Sequence, residues 1–204
     1  MITLPPQTTS AAGDRRAQLL EAADRVVRRD GSAASMNVIA AEAGITKPIL
    51  YRHFGDKGGL YRELAARYTD ELLARLRAAL LTRGGLRART RATIDAYLTA
   101  IEEQPQVYRF LMERAAVEDE SVRGEVQGFV RRFGDELAAG IRAEPALQHV
   151  DETRALVWAH GIAGMVQAAG DWWLAGADVP REQVVEELTA LLFAGFGPPS
   201  DPER

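Results

Sequence analysis

Apolar residues recur along this chain three and four positions apart, almost from end to end. Nowhere do apolar and polar residues alternate long enough for a strand. The first helix is expected over 14–29, where Leu19, Leu20, Ala23, Val26 and Val27 form one stripe and Asp30-Gly31 stops it. A short helix over 36–43 follows, with Ser35 as its N-cap and Gly44 at its end. A third, over 47–54, has Thr46 as a candidate N-cap and Pro48 tolerated in the first turn. Gly55-Asp56 breaks the chain before a long helix over 57–81, in which Leu60, Leu64, Tyr68, Leu72, Leu76 and Leu80 recur every four residues. Further helices are expected over 86–104, 105–117, 119–142, 151–175 and 181–196, with Gly84-Gly85 and Pro198-Pro199 as breaks. The pattern predicts an all-α protein of about nine helices, without internal repeat or low-complexity block.

Two of these helices are unusually short and separated only by Gly44-Ile45-Thr46, the architecture of a helix-turn-helix. Ile39, Ala40, Ala43, Ile45 and Leu50 are expected to form the small core that sets them at a steep angle and aims the second outward. From Ala43 to Gly55 there is no acidic residue, while Lys47, Arg52 and His53 supply cationic groups. Thr46, Tyr51 and Lys57 add donors within reach of phosphate oxygens. A basic helix N-terminus of this kind suits a major groove, where its first turn meets base edges and its flanks meet phosphates.

Charge changes the picture by its distribution. The chain's net charge of −4 argues against a nucleic-acid partner only as a total. Residues 1–83 carry 13 Lys and Arg against 9 Asp and Glu, and residues 84–204 carry 12 against 20. A basic front and an acidic back point to two modules with different partners. The absence of cysteine excludes disulfides, thiol catalysis and Cys-ligated zinc. The first 13 residues lack the basic start and apolar run of a signal peptide. The longest uncharged helical stretch, 155–170, falls short of a membrane span, so a cytoplasmic protein is expected.

The stretch 16–64 strongly resembles the tetracycline-repressor (TetR) family of bacterial regulators. The resemblance rests on the opening LLEAADRVVRRDG, the turn IAAEAGI, the segment KPILYRHFGDK and the continuation GLYREL, all in ungapped register. It implies base-edge contacts from Asn37, Lys47 and Pro48, and phosphate contacts from Ser35, Thr46, Tyr51, His53 and Lys57. Arg52 stands where the family varies and is open to either role. Val38 departs from the pattern, since an acidic residue there would complete a capping box with Ser35.

The second half holds no catalytic constellation. Ser121 has no histidine at a readable spacing, and His149 beside Asp151 and Glu152 is a weak metal candidate, so neither an enzyme nor a metal or cofactor is expected. His160, on an apolar helix, is expected as a core histidine. What stands out is a set of bulky apolar residues: Tyr97, Ile101, Tyr108, Leu111, Met112, Phe129, Phe133 and Leu137. Trp158, Ile162, Met165, Ala169 and Trp172 add one face of the helix over 151–175. Packing explains any one of them; as a set they are candidates for an effector cavity. Val157, Gly161, Gly164 and Ala168 form a second, small-residue face suited to the close approach of another helix.

Membership of the TetR family would imply a homodimer formed through the last two helices, a pseudo-palindromic operator, and a small-molecule effector that alters DNA affinity. The segments PQVYRFLMERAAVEDESVRGEVQ and GDWWLAGADVPREQVVEELTALLFAGF resemble, less specifically, regulators that respond to long-chain acyl-CoA. On that reading Arg109, Arg114 and Arg123 are placed to meet an anionic head group, against their ordinary role as solvated surface charge. The expected organisation is a tail over 1–13, a helix-turn-helix DNA-binding domain over 14–57, and an effector-binding and dimerisation domain over 58–197. The helix over 57–81 joins the two. The competing readings are a drug- or antibiotic-responsive repressor and a helical small-molecule binder without DNA binding.

Overall fold

The computed structural model describes residues 11–117 and 120–194. Among them are nine α-helices, two short 3₁₀ turns and no strand. The helices are α1 (Ala11–Asp30), α2 (Met36–Glu42), α3 (Lys47–Phe54), α4 (Lys57–Leu80), α5 (Leu86–Glu103), α6 (Pro105–Val117), α7 (Glu120–Ala143), α8 (Glu152–Leu174) and α9 (Arg181–Ala194). The 3₁₀ turns are Gly31–Ala33, before α2, and Pro145–Leu147, before α8. These bounds match the sequence expectation closely. The first helix begins three residues early, at Ala11. Most of the tail expected over 1–13, the end of the last expected helix at Phe196, and Pro198-Pro199 lie outside the described residues.

Helix ends follow local chemistry. The Ser35 hydroxyl accepts from the Val38 N–H at 3.4 Å, so the expected N-cap forms without an acidic residue at 38. Asp151 caps α8 in the same way, its carboxylate accepting from the Arg154 N–H at 2.7 Å. Thr46 takes the extended N-cap conformation, yet its side chain makes no capping bond. Pro48, at the second helical position, has no N–H to offer. The next N–H, of Ile49, is taken by the Thr46 carbonyl at 3.0 Å.

The chain packs as two compact units. One holds the described residues up to Arg67 together with Gln106–Glu125; the other holds Tyr68–Pro105 and the described residues from Val126 onward. The first is centred on Leu19, Val26, Ile39, Leu50, Leu64 and Phe110, all fully buried. Burying such side chains contributes about 1.5–3 kcal/mol each relative to leaving them exposed. The units are drawn differently from the division expected at 57/58: α4 contributes to both, and most of α6 packs with the helix-turn-helix.

In the second unit α5 packs on α9 and α8. Arg181, at the start of α9, pairs with Glu102 at 2.6 Å and Asp95 at 3.2 Å on α5. The register of α8 differs from expectation. Its buried positions are Ala155, Ala159, Val166, Gly170 and Trp173. Gly170 is the close contact, where an added Cβ would stand 3.0 Å from both Ile101 Cδ1 and Tyr97 Cε1 of α5. Trp173 is held inward by donating its indole N–H to the Val179 carbonyl at 2.8 Å. Trp158 and Trp172 face outward, 41% and 59% exposed. His160, expected in the core, is also exposed. Its ring lies against Gly134 of α7, with Nε2 3.9 Å from Asp135 Oδ1.

Candidate nucleic-acid interface

The three-residue turn between α2 and α3 is closed by the Gly44 N–H on the Ala41 carbonyl (3.1 Å) and the Ile45 N–H on the Ala40 carbonyl (3.0 Å). Ile39 and Ala40 of α2 and Leu50 and Phe54 of α3 are buried between the short helices and the rest of the unit. Ala43 and Ile45, expected in the same small core, are only half-buried. With Leu50 and Phe54 turned inward, the helical period turns Lys47, Pro48 and Arg52 outward, and all three are exposed. Tyr51 and His53 are half-buried at the edges of that face. Thr46 and Lys57 are exposed at its two ends, and on α2 Asn37 is exposed beside half-buried Ser35. None of the nine residues expected to contact DNA is buried.

Ion pairing sharpens this face. On α1, Arg25 pairs with Glu42 at 2.9 Å, Arg28 with Asp24 at 2.8 Å, and Arg29 with Asp30 at 2.8 Å. Hydrogen bonds from Arg25 and then Arg29 hold the Glu42 carboxyl below its ordinary range, and the Arg29 bond does the same for Asp30. Lys47, Arg52 and Lys57 have no carboxylate partner among the described residues. Lys47 Nζ stands 5.6 Å from the Tyr51 ring centroid and Lys57 Nζ 5.5 Å from that of Tyr61, within cation–π range. The uncompensated charge between 46 and 57 is therefore available to an anionic partner.

Arg16 anchors the far end of α3 from α1. Its guanidinium donates to the His53 carbonyl, pairs with Glu63 and lies 4.7 Å from the Phe54 ring centroid. Sequence reading missed Arg16, because its partners lie 37 and 47 residues away and no local pattern marks them.

The bulky apolar set of the second half is divided between the two units. Tyr108, Leu111 and Met112 belong to the first unit, where Tyr108 and Leu111 are buried. In the second unit Tyr97 and Ile101 pack on Gly170, and Phe129 and Phe133 stack with centroids 6.4 Å apart. Leu137 packs on the buried cluster around Ala155 and Ala159, and Ile162 and Met165 are half-buried. Trp158 and Trp172 are the exposed members of the face of α8 that they share with Met165. Among the three arginines suggested for a head group, Arg109 is exposed. Arg123 donates to the Ala115 carbonyl at 2.8 Å, and Arg114 is half-buried in the first unit. Among the described residues no three His, Asp or Glu side chains cluster as a metal site, and no helix is long and apolar enough to cross a membrane.

Comparison with known proteins agrees with this geometry. Residues 19–64 match the family described as bacterial regulatory proteins of the tetR family, and residues 75–202 match the tetracyclin repressor-like C-terminal domain. The chain is 32% identical over 185 residues to the HTH-type transcriptional activator FasR of Mycolicibacterium smegmatis, covering 90% of this chain and 83% of the relative. It is 30% identical over 184 residues to an uncharacterised HTH-type transcriptional regulator of Mycobacterium tuberculosis, covering 90% and 77%. Among solved structures it superposes on the fatty acid degradation regulator FadR of Bacillus halodurans with a TM-score of 0.71, at 13% identity and covering 96% and 98%. Family models that span both halves, and relatives aligned along nine-tenths of the chain, lead to one conclusion. This chain belongs to the TetR family of bacterial transcriptional regulators, DNA-binding helix-turn-helix proteins rather than enzymes.

Proposed function

We propose that this regulator binds a pseudo-palindromic operator as a homodimer and changes its DNA affinity when a hydrophobic small molecule binds. The observation that carries the DNA half is the outward face of α3 and the start of α4, where Lys47, Arg52 and Lys57 lack carboxylate partners among the described residues. Lys47, Pro48 and Asn37 would read base edges. Ser35, Thr46, Tyr51, His53 and Lys57 would hold phosphates, with Arg52 serving either. Two such helices would enter successive major grooves about 34 Å apart. On this reading DNA binding resides in 14–57, effector binding and dimerisation in 58–197, and the protein works in the cytoplasm.

The exposed face of α8 supports the dimer. Val157 is 65% exposed, and Cβ atoms built on Gly161 and Gly164 would meet nothing within 4 Å. A small-residue groove flanked by two exposed tryptophans suits a helix of a second copy. Trp158 and Trp172 therefore move from the effector site to the subunit contact. For the effector we retain the apolar residues of the second unit, Phe129, Phe133, Leu137, Ile162 and Met165. A lipid, of the long-chain acyl-CoA kind, is favoured by the resemblance of two segments to acyl-CoA-responsive regulators. The neighbour described as a fatty acid degradation regulator points the same way.

Selection of duplexes from a random pool by the purified protein should yield an inverted repeat with half-sites one helical turn apart. Enrichment of no sequence would refute the DNA reading. Palmitoyl-CoA should raise the melting temperature and shift affinity for the selected duplex, whereas cationic drugs should do neither. The reverse pattern would replace the lipid reading with the drug-responsive one.

A further inference from the structure

The turn that leads into α2 is held from α6. Gly31 is buried with φ +56°, a backbone region that favours glycine, and a Cβ built on it would stand 2.4 Å from Gln106 Oε1. Four residues along α6, Phe110 is fully buried and meets Tyr61 edge to face, ring centroids 5.1 Å apart and planes at 86°. Four residues further, Arg114 places its guanidinium 5.2 Å from the Tyr61 centroid and 5.9 Å from that of Phe110. Its Nη2 donates to the Ser32 carbonyl at 2.8 Å and lies 3.5 Å from the Ala34 carbonyl. The buried Tyr61 hydroxyl donates to the same Ala34 oxygen at 2.8 Å. Residues 106, 110 and 114 are one stripe of α6: its two ends meet the turn, and its middle meets Tyr61, whose hydroxyl bonds the turn's last carbonyl.

The chemistry is unlike that of a surface arginine. Among the described residues no carboxylate pairs with Arg114, and its Nε is buried without a hydrogen-bond partner. Two carbonyl oxygens and two ring faces meet the charge instead, an arrangement that suits a planar, multi-donor cation and not a compact ammonium. The carbonyls it holds belong to the residues just before Ser35, the N-cap of α2. Whatever places Ser32 and Ala34 also places the first turn of α2, and through the three-residue turn it places α3.

We propose that Arg114 is a positioning residue for DNA recognition: clamped between Tyr61, Phe110 and the carbonyls of Ser32 and Ala34, it sets the placement of α2 and α3 without touching DNA. The proposal rests on the assignment of α3 as the DNA-reading helix. It accounts for a cation on α6 that neither solubility nor a ligand head group requires.

The test uses full-length protein, a duplex enriched by the wild type from a random pool, and an unrelated duplex of equal length. Measured well below each variant's melting temperature, Arg114→Gln should weaken binding to the enriched duplex about tenfold, the expected scale for losing hydrogen bonds from a charged donor. Binding to the unrelated duplex, dominated by phosphate contacts, should be unchanged. Arg114→Lys should restore only part of the loss. The double variant with Tyr61→Phe should lose less than the sum of the single variants. Amide exchange in Arg114→Gln should accelerate over 32–43 and stay as in the wild type over 69–80. Equal loss on both duplexes, or exchange rising along the whole chain, would reduce Arg114 to a general structural residue and overturn the proposal. So would unaltered binding by Arg114→Gln. If the wild type enriches no duplex, the DNA reading fails first and the proposal falls with it.

Discussion

Neutralising one unpaired cation on α3 should change not only affinity but its dependence on salt. Lys47, Arg52 and Lys57 are free of carboxylate partners among the described residues, so each one that meets a phosphate must displace a condensed counterion. Each such contact contributes about 0.9 to the slope of log K against log salt. In a dimer Arg52→Ala removes two contacts, and the slope should become shallower by about 1.8. Between 50 and 200 mM salt the ratio of wild-type to variant affinity should then shrink about tenfold. Arg25→Ala is the control, because Arg25 already spends its charge on Glu42 at 2.9 Å. It should leave the slope unchanged. Fluorescence anisotropy with a selected duplex at five or six salt concentrations measures both variants. An unchanged slope in Arg52→Ala, Lys47→Ala and Lys57→Ala alike would refute the argument that unpaired charge marks the DNA face. So would a loss in Arg25→Ala equal to theirs.

Other expectations follow from the second unit and from the ion pairs. Trp172→Ala and Trp158→Ala should weaken self-association in sedimentation experiments while leaving the thermal transition of the dissociated chain nearly unchanged, because both rings are exposed. Gly170→Val should destabilise the protein by about 1–3 kcal/mol in thermal melts, since its added atoms meet Tyr97 and Ile101 at a contact already tight for a Cβ. For pH, Asp30, Glu42 and Glu136 titrate below their ordinary values of 3.8 and 4.5 because arginine hydrogen bonds favour the charged form. Their contribution is fully present above those values and is lost as pH falls through the lowered folded-state ones. Melting temperature should therefore be insensitive to these groups from neutrality down to about pH 5 and should decline below about pH 4. Glu42→Gln should show a shallower acid decline than the wild type; an identical pH profile would remove Glu42 from the account.

Much of the exposed, basic face of α3 was legible in the sequence because it is local. Twelve consecutive residues, 46–57, carry the cap position, the inward Leu50 and Phe54, and the outward cations, and helical periodicity alone decides which side each takes. Arg16 and Arg114 escaped that logic: their partners are separated from them by tens of residues, and only folding brings an α6 arginine onto the carbonyls before α2. The inward face of α8 was misread for a related reason. On α8 nearly every face is apolar, so periodicity offers several stripes and prefers none. The stripe through Trp158 and Trp172 was as good a candidate, by pattern, as the one through Trp173.

By itself, then, the sequence determined what short-range forces determine: the nine helices of the described residues, most of their ends, the two-helix motif and the sign of its outer face. Tertiary structure decided which tryptophan of α8 is buried and that most of α6 packs with the helix-turn-helix. It also decided which arginines are spent on carboxylates and carbonyls of the fold, as Arg25, Arg16 and Arg114 are. Hydrophobic burial is non-directional and is indifferent to sequence separation. The choice between equally apolar faces therefore falls to the shape of the neighbours, here the gap that Gly170 leaves for Tyr97 and Ile101.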